Sequence, residues 1–233
     1  DFSGNALVTD RTDLTAEFIG DRSLLEVRRL DGTVASYKTL TIDGTAVVLA
    51  GDSVNVASEL KFNENANLAA YGDFQLGSAA AAARVTAYGN VHGNYIQAYG
   101  ETADNVVSLY VQDNTVLPSV GNSGLGTLNI VGGNNVTIAA GKWTFVNPFT
   151  GAEIFSADLS VYSGSGTTNI TLGDNFTAEG VILVESGVLN LNTGDGAQFK
   201  GNSADLGGLS VAGGTANITL GDSAVLYYDI LVS

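Results

Sequence analysis

The chain has 233 residues, of which 45% are hydrophobic, with 30 Gly, 2 Pro and neither Cys nor Met. Against 9 basic residues stand 24 acidic ones, a formal net charge of -15. This composition excludes a disulfide framework and thiol chemistry and opposes binding to a phosphate backbone. No stretch approaches the ~20 apolar residues of a membrane-spanning helix.

Residues 1–39 are the least repetitive part. The chain begins at Asp1 rather than Met, so a processed N-terminus is expected, with a signal peptide removed or the chain trimmed. Phe2-Ser-Gly-Asn-Ala-Leu-Val8 predicts a turn and a strand. Leu24 to Leu30 predicts a strand leading into the Asp31-Gly32 turn. This segment is expected to cap a first coil or to serve in assembly, because an open coil exposes unpaired strand edges. Six of the 9 basic residues lie between Arg11 and Lys61. Arg11, Arg22, Arg28 and Arg29 either guard such an edge by charge or form a solvated face.

A main domain is expected over residues 40–233. Leu40 to Asp52 is its first clear repeat, two alternating strands around Asp43-Gly44 and closed by Gly51-Asp52. Leu60 to Leu68 continues the alternation. Tyr71, Tyr88 and Tyr99 then recur in Ala-Tyr-Gly triplets, 17 and 11 residues apart, with Tyr95 and Tyr110 nearby. Stacked on one wall they would form an aromatic strip for sugar or protein contact. Core or corner tyrosines with satisfied hydroxyls are the plainer alternative. Ala79 to Ala83 fits one helical turn or a crowded corner. Val106 to Val111 is a strand, and residues 118–126 read as a loop and a candidate seam.

Beyond that loop one pattern returns. Leu128-Asn-Ile-Val-Gly-Gly-Asn-Asn-Val-Thr-Ile138 is followed by relatives beginning at Leu159, Ile182 and Leu209, at steps of 31, 23 and 27 residues. The strands hold constant while the inserts, Lys142 to Ile154 and Thr193 to Gly208, vary. A sandwich has no need of such a return, whereas stacked coils demand it, so an all-β solenoid is predicted. Alternation with period two turns Leu128, Ile130, Val136 and Ile138 inward, as it does Leu159, Val161, Ile170, Leu172, Leu209, Val211, Ile218 and Leu220. Each such side chain contributes ~1.5–3 kcal/mol on burial.

The Gly-Asp turns place Asp52, Asp174, Asp195 and Asp222 at one phase of the repeat. Stacked carboxylates repel unless a cation such as Ca2+ lies between them, which makes these four the candidate metal residues. The ordinary turn preference of Asp explains the position with no cofactor, and the calcium-binding Gly-Gly-x-Gly-x-Asp repeat is absent. Asn135, Asn169, Asn175 and Asn217 open Asn-x-Thr sequons, with outward Asn ladders as the structural alternative. An enzyme finds little here. His92 is the one His, no Ser sits in a nucleophile elbow, and Glu153, Asp158, Glu179 and Glu185 show no pairing of the hydrolase kind. The closing strand, Leu226-Tyr-Tyr-Asp-Ile-Leu-Val232, carries one charge and no Pro. Such a strand is poorly defended against pairing. Leu226, Tyr227, Tyr228, Ile230 and Val232, with Arg28 and Arg29, are therefore the candidate assembly residues.

Phe199-Lys-Gly-Asn-Ser-Ala-Asp-Leu-Gly-Gly208 resembles the Phe-x-x-Asn…Gly-Gly repeat of polymorphic outer-membrane proteins and related autotransporter passengers, and Phe2-Ser-Gly-Asn-Ala6 matches a fragment of it. The strand-Gly-Gly-strand copies resemble autotransporter-associated β-strand repeats. The resemblance implies a right-handed parallel β-helix on a cell surface, serving adhesion or display. No C-terminal membrane barrel of the autotransporter kind is present, so a fragment or another export route is expected. The function expected is a non-enzymatic, extracellular structural protein that assembles with itself into a filament, sheath or layer. An adhesin binding glycan or a host surface is the alternative, and a polysaccharide lyase or hydrolase the third.

Overall fold

A computed structural model of the chain describes residues 95–98, 102–147, 149–201 and 208–233, together with strand backbones between residues 15 and 92. Among the described residues every regular element is a β-strand. The strands stack in parallel as a β-solenoid of about five coils. Each coil has three faces. Face one comprises Tyr95–Ala98, Ser119–Asn122, the end of Glu153–Ser163, Val181–Val184, Leu209–Val211 and Ile230–Val232. Face two comprises Val106–Val111, Thr127–Gly132, Thr167–Leu172, Val188–Thr193 and Thr215–Thr219. Face three is narrower: Val116–Leu117, Thr137–Ile138, Thr177–Ala178, Gln198–Phe199 and Val225–Leu226.

The stacking register corrects the alignment drawn from the sequence. Leu128 lies on face two, beside Thr168, whereas Val161, Ile182 and Leu209 are successive residues of face one. Both faces carry the same aliphatic-x-aliphatic pattern, so matching on the first aliphatic residue slipped from one face to the other. Equivalent residues on face two are separated by 21, 40, 21 and 27 residues from Ser108 to Asn217. The coil is thus 21 residues long, and the two longer steps contain extra chain. Both extra stretches fall between face three and face one, where a corner can grow without disturbing the strands.

Inward residues form columns. On face two Leu109, Ile130, Ile170 and Leu191 lie on successive rungs, all buried. By backbone register the same rung positions are held towards the N-terminus by Val85, Leu60, Leu40 and Ala16. On the side of face three, Phe176 and Ala178 of one coil are followed by Ala197 and Phe199 of the next, all buried. Large and small exchange places, and the two rings meet edge to face at 5.9 Å. That keeps the volume of each coil constant, as close packing requires. Ile218 and Leu220, expected inward, do pack against the core but are only partly covered, because they belong to the last full coil.

The first insertion is an antiparallel hairpin, Gly141–Val146 against the start of Glu153–Ser163. It lies on face one, on the side away from the core. There Trp143 stacks on Tyr95 at 4.2 Å and meets Tyr162 at 5.0 Å. Its indole N–H donates to the buried Ser119 hydroxyl at 2.7 Å. A Cβ on Gly121 would stand 2.4 Å from the indole, so glycine is what admits the ring. Leu159, expected inside the coil, is buried instead in this outer cluster with Trp143, Ala157, Tyr162 and Val181. The register shift between Leu159 and Val161 moves it there.

Candidate functional site

The corner between faces two and three explains the Gly-Asp pairs. The backbone N–H of Asp195 donates to Asp174 Oδ1 at 2.9 Å, and that of Asp222 to Asp195 Oδ1 at 2.7 Å. Below them Asp174 N–H donates to Asn134 Oδ1 at 2.8 Å, and Asn134 N–H to Asp113 Oδ1 at 2.7 Å. Each side chain therefore reaches along the solenoid axis and holds the next coil. The glycine before each rung makes this approach feasible. A Cβ on Gly173 would lie 2.1 Å from Asn134 Oδ1, and one on Gly194 would lie 2.1 Å from Asp174 Oδ1. The residue after each rung has a left-handed backbone: φ is 61° at Asn114, 54° at Asn135, 58° at Asn175, 72° at Gly196 and 62° at Ser223. Asn and Gly accept that conformation most readily.

Of the four candidate metal residues, Asp174, Asp195 and Asp222 stand in this ladder, and Asp52 lies outside the described residues. The repulsion expected between stacked carboxylates is offset here by backbone N–H groups. Among the described residues no three His, Asp or Glu gather as a metal-holding group. Asp113 and Asn134 were missed in the sequence, although Gly133-Asn134 carries the same signal as the Gly-Asp pairs.

A second ladder runs up the outside of face two. Asn169 Nδ2 donates to Asn129 Oδ1 at 2.8 Å, Asn190 to Asn169 at 2.7 Å and Asn217 to Asn190 at 2.8 Å. At the corner Asn135 Nδ2 donates to Asn114 Oδ1, and Asn175 to Asn135, both at 3.0 Å. All four sequon asparagines thus stand in amide ladders.

Side chains of the last described coil are exposed where their counterparts one rung below are buried. Ile230 is 55% exposed, while Leu209, its neighbour on the rung below, is 6% exposed. Leu226 is 40% exposed against 4% for Phe199 beneath it. Tyr227, Tyr228 and Val232 are exposed as well. Of the candidate assembly residues these five lie together at one end of the stack, and Arg28 and Arg29 lie outside the described residues.

Tyr71, Tyr88 and Tyr99 also lie outside them. Of their neighbours, Tyr95 stands on face one and Tyr110 on face two, so those two do not share a wall. The aromatic group that does form, Tyr95 with Trp143, Phe145 and Tyr162, gathers residues distant in sequence. Burial, then the hydrogen bond to Glu185 and its charge, raise the Tyr162 hydroxyl well above the usual tyrosine range. Glu153, Asp158, Glu179 and Glu185 are all exposed. The hairpin tip bears Phe149, 95% exposed. Asn147 Oδ1 accepts the N–H groups of Phe149 and Thr150 at 2.9 and 3.2 Å, fixing the turn that presents the ring.

Among the described residues no helix is long and apolar enough to cross a membrane. Comparison with known protein families, with curated proteins and with solved structures finds no match.

Proposed function

We propose that the chain is a non-enzymatic structural subunit outside the cell, which assembles with itself into a filament, sheath or layer. The observation that carries this is the edge of the last coil, where core-column residues Leu226 and Ile230 stand uncovered. A bare parallel edge with one charge is a template for another strand. Covering each apolar side chain contributes ~1.5–3 kcal/mol, enough in sum to hold a subunit contact. The surface setting follows from the acidic, Cys-free composition and from the resemblance to autotransporter passengers. Sedimentation velocity over a range of concentrations tests the assembly. The full chain should form growing species, and a chain lacking residues 226–233 should stay monomeric. A full chain that remains monomeric at high concentration, with or without Ca2+, overturns this function.

One observation favours a second function, that of an adhesin. Phe149 is held out on a fixed turn at the hairpin tip, and rigid exposed aromatics serve as binding anchors. Binding to a glycan or matrix-protein array that Phe149→Ala abolishes would favour it.

A further inference from the structure

We propose that the outer wall of face two binds ice. This goes beyond the function proposed above and does not rest on it.

The first ground is charge. The chain carries 24 acidic and 9 basic residues, yet none stands on the described strands of face two listed above, from Val106–Val111 to Thr215–Thr219. The acidic ladder of Asp174, Asp195 and Asp222 stops at the corner beside them. Face one carries the docked hairpin, and the strands of face three are short. Among the described residues face two is therefore the broad wall left open, and it is neutral. A neutral wall on an acidic chain suits an uncharged ligand.

The second ground is regularity. From Thr127–Gly132 to Thr215–Thr219 the strands pair in parallel without a register shift. On one rung the outward residues are Thr167, Asn169 and Thr171. The first of these positions is β-branched on every rung, as Thr127, Thr167, Val188 and Thr215. The middle position is Asn on every rung. Neighbouring rungs lie ~4.8 Å apart, and successive outward residues of one strand ~6.6 Å apart. The wall is thus a two-dimensional lattice of methyl, hydroxyl and amide groups. Side-chain ladders are a device that holds such a sheet flat.

The third ground is rigidity. Asn169, Asn190 and Asn217 each donate to the Asn one rung below at 2.7 to 2.8 Å. The β-branched column is stiff at χ1. The lattice is therefore set before a ligand arrives, and little entropy is lost on binding. Asn169 and Asn190 each spend one N–H and one oxygen lone pair on the ladder and keep one of each.

A ligand for this wall must be uncharged, flat, periodic in two directions, and both donor and acceptor. An ice face meets all of these conditions, and its oxygen rows repeat at close to the rung spacing. Methyl groups settle between the rows, while amides and hydroxyls anchor them. Many weak contacts in one register then act together. A single glycan chain is periodic in one direction only. Sugars are also held by stacking on rigid aromatic faces, and the rungs from Thr127 to Thr219 present no aromatic residue.

Nanolitre osmometry on the full chain should show a gap between the melting and freezing points of ice that widens with protein concentration. Thr171 is exposed, and Thr171→Tyr lifts a ring out of the lattice. It should cut the gap several-fold at an unchanged thermal midpoint. Thr144→Tyr, at an exposed position on the hairpin, should leave gap and midpoint as they are. Should Thr171→Tyr lower the midpoint, Thr219→Tyr at an exposed position of the same wall reads the same effect. A full chain that shows no gap and is excluded from growing ice overturns the proposal. So does a gap that the wall and hairpin variants reduce alike, or that neither reduces. Co-sedimentation with microcrystalline cellulose or chitin that Thr171→Tyr abolishes, without any effect on ice, assigns the wall to a crystalline polysaccharide and overturns it as well.

Discussion

Gly194 stands where the Asp174 carboxylate passes on its way to the next coil. A Cβ there would lie 2.1 Å from Oδ1 and 2.9 Å from the Asp174 nitrogen. Neither can give way without breaking a rung of the ladder. Gly194→Ala should therefore cost ~1–3 kcal/mol by overpacking, read as a lower urea midpoint. Asp174→Ala should recover part of the loss in the double variant, since the two act through one contact. Tyr162 gives a second prediction at this scale. Its hydroxyl titrates higher in the folded chain than in the unfolded one, chiefly through burial. Its contribution to stability is therefore full below about pH 10 and falls as pH rises towards the folded value. Tyr162→Phe should flatten that alkaline decline in thermal midpoint, and an unchanged slope would deny Tyr162 the role. At this scale the sequence showed which residues recur but not what they touch. A Gly-Asp pair reads as an ordinary turn, because its partner lies 21 or 27 residues away.

The strand is the scale at which the sequence was most legible. Alternation assigned Leu128, Ile130, Val136, Ile138, Val161 and Ile170 to the interior, and all are buried. Ile170→Asp should consequently cost several kcal/mol, as an unpaired buried charge does, whereas the outward Thr171→Asp should cost little. Equal losses in the two unfolding curves would mean that the facing is wrong. Ile218 is only partly covered and should show a smaller penalty than Ile170. What alternation could not supply was the identity of the face, because faces one and two share one apolar pattern. The Asn column and the Gly column at the first corner mark the register better. A Cβ on Gly166, Gly187 or Gly214 would come within 2.1 to 2.3 Å of a carbonyl of the coil below. The hairpin was legible as an insertion between constant strands. Its antiparallel docking through Trp143 was not, since period two says that a segment is extended and says nothing of its partner.

At the scale of the molecule, stacking made the solenoid recoverable from sequence, because each coil must repeat the chemistry of the one below. The same property governs the ends. An inner coil is covered on both sides, while the last described coil shows Ile230 and Leu226 to solvent. If copies cover one another's edges, as the proposed assembly requires, the strands lie across the long axis of the filament. Fibre diffraction from an oriented, concentrated preparation of the full chain measures this directly. A filament with a meridional reflection at ~4.7–4.8 Å, the spacing of hydrogen-bonded strands, is the predicted result. A chain that stays monomeric under those conditions, or that assembles without that reflection, would contradict it.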